Sequence, residues 1–230
     1  MNKLLIITVL TAITNIAYAA SGGIDVGFKS KLLDQGVVTG VNFITASANV
    51  EVASFGLGVD TYSAFERSDK GAASGAFKRV DLTAQYKFTS TLADLALGVQ
   101  YQNASKTAAF NGVRDNLAPF VKLYGSVWDV TLRTDLKNRT NNLEGNLKLP
   151  IPLRVKGLNL VPSVGLGFND PGATTVAALK NVKKYGAAGL GVSYAILNGH
   201  LYANGYVLRP DITNNYGQVT SYDAGYRIKF

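Results

Sequence analysis

Oppositely charged residues recur two positions apart along this chain. Arg79 precedes Asp81, and Arg133 precedes Asp135. Residues i and i+2 of an extended chain point to the same side, so each pair would share one face of a strand. Charges of both signs keep such a face hydrated, and an excess of one sign attracts ions of the other sign. Such pairs neutralise each other and keep the face hydrated, whereas a surplus of one sign would select solutes by charge.

Covalent catalysis would need a nucleophile with a general base, or paired carboxylates with a histidine. The chain has one histidine, His200, which follows the turn sequence LNG (197–199). We expect His200 to be a surface residue beside that turn, without a Ser–His–Asn constellation. One histidine and no cysteine disfavour a metal site, and we expect no cofactor and no enzymatic activity. The glycines of GLGVD (56–60) and GLGVSY (189–194) lack the spacing of a dinucleotide-binding loop and are expected to be small residues facing a crowded interior.

Basic residues outnumber acidic ones, which gives a formal net charge of +8. The positive residues are interleaved along the chain and not clustered, so nucleic-acid binding is disfavoured. The effect of this excess positive charge depends on which face of each secondary-structure element carries the basic residues.

The secondary-structure elements are predicted from hydrophobicity that repeats every two residues. Every second residue is apolar in 80–88 and in 95–101, and the same is true of 130–136 except at Thr134. This alternation is typical of β-strands that have two different faces. The repeated pattern predicts about twelve strands, with a count between about 10 and 14, at approximately 23–33, 37–47, 50–61, 77–88, 92–103, 115–125, 127–137, 142–150, 158–168, 184–196, 199–209 and 219–230.

The connections between these strands alternate in length. A change of parity between Val52 and Phe55 indicates a β-bulge in the second and third strands. Apolar residues at helical spacing in 174–184 allow a short helix within one connection. The predicted short turns lie at 47–49, 89–91, 125–127 and 197–199, and the longer connections lie at 62–76, 104–114, 169–183 and 210–218.

The N-terminal residues have the composition of a secretory signal peptide. Lys3 precedes an uncharged apolar stretch, and Ala17-Tyr18-Ala19 supplies the small-x-small pattern of a cleavage site. The apolar stretch is shorter than the roughly 20 residues that a membrane-spanning helix needs. We expect residues 1–19 to be a signal peptide and residues 20–230 to form one exported domain.

Two all-β architectures are compatible with the alternation: a soluble barrel or sandwich with apolar residues inside, and a transmembrane barrel with apolar residues outside. Long strands, aromatic residues at the ends of the apolar rows and alternating connection lengths favour the second. Each predicted strand is near the roughly ten residues needed to cross a bilayer at a tilt. We therefore predict a single closed antiparallel transmembrane β-barrel in contact with lipid, with short periplasmic turns and longer extracellular loops.

The sequence DAGYRIKF (223–230) supports this prediction. It resembles the C-terminal signal of bacterial outer-membrane β-barrels, with a polar residue, a glycine, a hydrophobic residue and a terminal aromatic residue. The resemblance implies that Gly225, Ile228 and Phe230 are read by the barrel-assembly machinery. It also implies a location in the outer membrane of a Gram-negative-type bacterium.

A second resemblance lies near the start of the expected mature chain. The sequence DVGFKSKLLDQGVVTGVNF (25–43) resembles the N-terminal hairpin of the TorF family of porin-like proteins. The chain departs from that family at the corner, where Asp34-Gln35-Gly36 replaces an aromatic-Arg-Gly sequence.

These observations lead to a functional prediction. Twelve strands would enclose a narrow passage, and a surplus of positive charge on its wall would favour small anionic or polar solutes. Two alternatives stay open, namely a non-conducting structural, adhesin or receptor barrel acting through loops 62–76 and 169–183, and an outer-membrane enzyme. The identity of the solute, the oligomeric state and any plugging of the passage also stay open. The candidate wall residues are Lys29, Lys31, Arg79, Lys87, Arg133, Lys137, Lys148, Arg227 and Lys229.

Overall fold

A computed structural model gives the fold of most of the chain. No helix among the residues it describes is long and apolar enough to cross a membrane. The expected signal peptide and most of the segment expected to form a loop helix lie outside the described residues. The described residues are 21–34, 37–64, 78–104, 115–137, 139–170, 182–210 and 217–230.

The described residues form one antiparallel sheet. Its strands are β1 Ser21–Asp34, β2 Val37–Val52, β3 Phe55–Ala64, β4 Lys78–Phe88, β5 Asp94–Ala104, β6 Asp115–Tyr124, β7 Trp128–Asp135, β8 Thr140–Lys148, β9 Ile151–Pro152, β10 Leu158–Asp170, β11 Lys184–Ile196, β12 Gly199–Pro210 and β13 Val219–Lys229.

The sheet closes on itself. Twelve strands pair with their neighbours in sequence order, β8 pairs directly with β10, and the two-residue β9 adds to the edge of β10. β1 and β13 complete the ring, where the Gly22 N–H donates to the Phe230 carbonyl at 2.8 Å and the Phe230 N–H donates to the Gly22 carbonyl at 3.0 Å. The predicted closed barrel of about twelve strands is confirmed.

The apolar rows of the strands lie on the outside of this barrel. Leu82, Leu97 and Leu132 are between 43% and 47% exposed. A soluble barrel would bury these side chains in its centre, because large exposed apolar surfaces are rare on soluble monomers. A continuous apolar outer band is instead the arrangement found in membrane-spanning barrels.

The two ends of the barrel differ. We call the end that carries Ser21 and Phe230 the short-turn end; its connections are 53–54, 89–93, 125–127, 149–157 and 197–198. The opposite end is the long-loop end. The predicted alternation of short and longer connections follows from this arrangement.

The turn predicted at 47–49 is wrong. β2 continues to Val52, which pairs with Phe55, so the turn consists of Ala53 and Ser54. Ala53 has a φ of 52°, the left-handed backbone that two-residue hairpins require. The sequence misled because Ser47-Ala48-Asn49 contains two typical turn residues, whereas Ala53-Ser54 contains one. The two-residue turn also explains the change of parity read as a bulge; the register shift lies between β1 and β2, at Leu32/Leu33.

Several aromatic rings lie against the inner wall over glycines of the neighbouring strand. Tyr202 pairs with Gly225, which in turn pairs with Gly27. A Cβ atom on Gly225 would lie 2.6 Å from the Tyr202 hydroxyl oxygen and 2.5 Å from the Val26 carbonyl oxygen. Side chains at these positions would push the rings toward the centre of the barrel. Phe120 lies over Gly98, Tyr185 over Gly167 and Tyr206 over Gly189 in the same way.

We expect Gly225→Ala to lower the free energy of unfolding by about 1–3 kcal/mol, because the added methyl group overpacks the wall beneath Tyr202. Urea unfolding in phospholipid vesicles, followed by the fluorescence of Trp128, measures the loss; Trp128 is the single tryptophan of the chain.

Gly58→Ala is the matched control. Its Cβ atom would lie 3.8 Å from the Thr83 Cβ, an ordinary contact. Equal stability losses for the two variants would contradict the role assigned to the glycine beneath Tyr202.

Candidate functional site

The interior of the barrel contains a polar cavity of about 560 Å³. Its wall is built by β1, β2 and β3 on one side and by β8 and β10 to β13 on the other. Inward residues alternate with the outward apolar rows, so each strand contributes every second side chain. Hydroxyl and charged groups line the cavity, among them Thr45, Ser47, Ser163, Ser193, Lys29, Lys148, Arg227 and Lys229.

A second cavity of about 530 Å³ lies at the short-turn end. Ser21, Glu51 and Phe230 line it, together with residues that also line the first cavity. We call the first the inner cavity and the second the mouth cavity.

Arg79 is engaged in an ion pair at the wall. Its Nε and Nη2 atoms donate to the two carboxylate oxygens of Asp81 at 2.7 and 2.8 Å. The guanidinium also lies 5.7 Å from the centroid of the Tyr62 ring. Arg79 is 9% exposed and Asp81 is 2% exposed, so this pair is part of the packed wall.

The Arg79–Asp81 pair belongs to a network across β4, β5, β6 and β7. The Gln100 amide donates to Asp81 at 3.4 Å, and Arg133 donates to the Gln100 carbonyl at 3.3 Å. The Asn116 amide continues the network to Gln102 at 3.3 Å. These bonds fix the predicted site residues Arg79 and Arg133 along the wall.

The predicted residues Lys87 and Arg227 are also paired. Lys87 forms an ion pair with Glu51. Arg227 Nε and Nη2 lie 2.8 and 2.7 Å from one carboxylate oxygen of Asp25, and the guanidinium lies 5.4 Å from the centroid of the Tyr202 ring. These partners could not be assigned from spacing, since they come from different strands.

Lys29, Lys148 and Lys229 differ from these residues. All three line the inner cavity, and within the described part of the chain none of them forms an ion pair. Lys31 lines neither cavity. Lys137 lies beyond the end of β7, in the exposed turn that leads to β8.

Toward the long-loop end, described side chains form two clusters. Asn142 donates to Asn169 at 2.7 Å and to the Tyr185 hydroxyl at 3.0 Å. Tyr185 donates to Glu144 at 2.7 Å. On the opposite side Leu32 and Phe43 form a small buried apolar cluster.

His200 lies beside the turn at 197–198 and is exposed, as expected. Its side chain lines the inner cavity, however, and does not face the outer surface. The cause is strand alternation, because its neighbour Leu201 takes the outward position. In the described part of the chain His200 has no hydrogen bond to a hydroxyl or carboxylate group. No three metal-ligating side chains of the described residues lie close enough together to hold a metal ion.

The three predicted assembly residues lie on the closing strand β13 or directly after it. Ile228 pairs with Ile24 across the seam, and Phe230 bonds to Gly22 there. Gly225 accommodates Tyr202, a structural role that the sequence signal did not reveal.

No protein-family model and no curated protein sequence matches the chain. Among solved structures it is similar to LpxR from Salmonella typhimurium, with a TM-score of 0.50 and 9% identity over 91% of this chain and 100% of that chain. The outer membrane channel DcaP of Acinetobacter baumannii matches with a TM-score of 0.43 and 10% identity, over 92% and 96% of the two chains. Outer membrane phospholipase A from Escherichia coli matches with a TM-score of 0.39 and 12% identity, over 90% and 89%.

The likeness to LpxR, at 9% identity, shows the fold alone. The activity has to be argued from the residues of this chain. The resemblance of residues 25–43 to the TorF family stays a prediction.

We expect Asp81→Asn to lower the free energy of unfolding by about 3–5 kcal/mol, since it removes the carboxylate that both guanidinium nitrogens of the buried Arg79 contact. Urea unfolding in vesicles measures this loss.

Asp25→Asn is the matched control, because it removes a carboxylate from Arg227, whose side chain is 53% exposed. Water then solvates the arginine, and the loss should be smaller. A loss at Asp25 as large as that at Asp81 would show that burial does not set the strength of these pairs.

Proposed function

We propose that the protein is an outer-membrane channel for the passive diffusion of small hydrophilic solutes, with a modest preference for anions. The observation that carries the proposal is the inner cavity, a charged and hydroxylated space enclosed by a closed barrel whose outer face is apolar. Uncompensated charge is costly in a dry interior, so such a cavity is filled with water.

The preference for anions follows from the lysines that lack ion pairs. Pairing offsets the positive charges of Arg79, Lys87 and Arg227. Four cationic side chains and three carboxylates line the inner cavity, which leaves a small positive surplus. Rings of charged side chains of one sign favour counter-ions in membrane pores. Lys29, Lys148 and Lys229 would therefore carry the selectivity.

A non-conducting barrel is the second candidate. The observation in its favour is that Asn142, Asn169 and Tyr185 on one side, and Leu32 and Phe43 on the other, form side-chain clusters toward the long-loop end. A barrel of this kind would act through its loops as a structural, adhesive or receptor protein.

We do not favour an enzyme. The single histidine, His200, has no nucleophile or carboxylate bonded to it among the described residues, whereas general-base catalysis needs a group within hydrogen-bond reach. The function proposed for the barrel requires no cofactor.

Export through the N-terminal segment 1–19, and recognition of Gly225, Ile228 and Phe230 by the barrel-assembly machinery, belong to the same proposal. The pairing of β13 with β1 supports it, because the segment that carries the signal also closes the barrel.

In planar lipid bilayers we expect small ohmic conductance steps from the purified protein. Reversal potentials under a KCl gradient should give a permeability ratio of chloride to potassium above one. In the triple variant Lys29→Gln/Lys148→Gln/Lys229→Gln the ratio should fall below one, because Arg227 then faces three carboxylates in the inner cavity.

Lys137→Gln is the control, since it removes one lysine charge from an exposed turn outside the strands, and it should leave the ratio above one. A cation preference of the wild-type protein would contradict the charge argument. The absence of any conductance would exclude the channel and support the non-conducting barrel.

A further inference from the structure

The inner cavity and the mouth cavity share part of their lining. Five residues line both, and we call them the junction: Asp25, Ser47, Asp60, Arg227 and Lys229. A solute that moves between the two cavities must pass these side chains. The junction is therefore the place where the barrel can discriminate between solutes.

Four of the junction residues form one row across neighbouring strands. Arg227 of β13 pairs with Asp25 of β1, Asp25 pairs with Ser47 of β2, and Ser47 pairs with Asp60 of β3. Neighbouring strands are roughly 4.8 Å apart, so Asp60 lies about 14 Å along the wall from Arg227. The row begins with a cation and ends with a carboxylate.

The charges at the β13–β1 side of this row hold each other in place. Asp25 accepts hydrogen bonds from Arg227 at 2.8 Å and from the Tyr202 hydroxyl at 2.8 Å. Arg227 lies over the ring of Tyr202, and Tyr202 is seated on Gly225. The charges of Asp25 and Arg227 are thus offset within the wall.

Two junction charges have no such partner. Lys229 follows Arg227 on the same face of β13, and Asp60 lies on β3. Within the described part of the chain neither side chain has a hydrogen bond or an ion pair. Opposite charges are thereby presented to the same passage from two different strands.

We propose that the junction binds small zwitterionic solutes that carry one carboxylate and one ammonium group. The carboxylate is held by Lys229 and the ammonium group by Asp60. This inference rests on the proposed channel function and names the class of solute that the channel favours.

Charge complementarity distinguishes this class from the alternatives. A simple anion is attracted by Lys229 and repelled by Asp60, and a simple cation experiences the reverse. A zwitterion gains both interactions, whereas an uncharged solute of the same size gains neither.

The test compares the permeation of two isomers, zwitterionic β-alanine and uncharged lactamide, into proteoliposomes at low concentration. Rates in protein-free liposomes are subtracted. We expect the wild-type protein to admit β-alanine faster than lactamide. In Asp60→Asn and in Lys229→Gln the ratio of the two rates should fall by about fivefold, the factor given by a charge interaction of about 1 kcal/mol in water.

Two further variants sharpen the test. Asp60→Lys/Lys229→Glu exchanges the two charges and should restore the ratio, because a zwitterion can bind in the reverse orientation. Asp94→Asn removes a carboxylate that lines neither cavity and should leave the ratio unchanged.

The outcomes separate this inference from the channel itself. Equal ratios in the wild-type protein, Asp60→Asn and Lys229→Gln, with lactamide still admitted, would overturn the zwitterion site and leave the channel standing. A barrel that admits neither isomer and conducts no ions would overturn both proposals.

Discussion

Closure of the sheet is the constraint on which the rest of this structure depends. Lipid offers no hydrogen bonds, so each backbone N–H and C=O group in the membrane must be paired within the protein. β1 and β13 meet this requirement along the seam from Gly23 to Lys29 and at Gly22, where Phe230 bonds in both directions. An unclosed sheet would expose two unpaired edges, which invite association with other chains. The length of the strands and their two contrasting faces follow from the same requirement.

Closure also decides where the charges lie. An apolar outer face excludes them, so lysine, arginine and carboxylate side chains converge on the interior and must be accommodated there. Ion pairs such as Arg79–Asp81 offset some of them. Aromatic rings seated on glycines, as Tyr202 is on Gly225, keep bulky groups against the wall. Within the described part of the chain Lys29, Lys148, Lys229 and Asp60 form no ion pair, and their charges are the ones that can act on a solute.

The strands could be predicted because a period of two is a local signal that survives in a single sequence. Closure of the sheet into a barrel was predicted from the strand pattern together with the sequence 223–230. The turn at Ala53-Ser54 was missed because backbone strain at Ala53 leaves no mark in residue type. The side-chain partners inside the barrel were harder still to predict from the sequence. Arg79 and Asp81 could be paired from their spacing, whereas Asp25 and Arg227 meet only because the barrel closes, 202 positions apart along the chain. The register between β1 and β13 brings these two residues together, and composition does not reveal that register.

The orientation of the two faces of each strand, with the apolar face toward lipid and the polar face toward water, can be measured directly. Because the chain contains no cysteine, single cysteines can be introduced on either face and probed in proteoliposomes with a charged, membrane-impermeant thiol reagent. We expect rapid modification of Ser163→Cys and Ser193→Cys, which line the inner cavity. We expect slow modification of Leu166→Cys and Leu190→Cys, which lie on the outer face. Rapid modification of the two leucine positions, with protection of the two serine positions, would contradict this orientation.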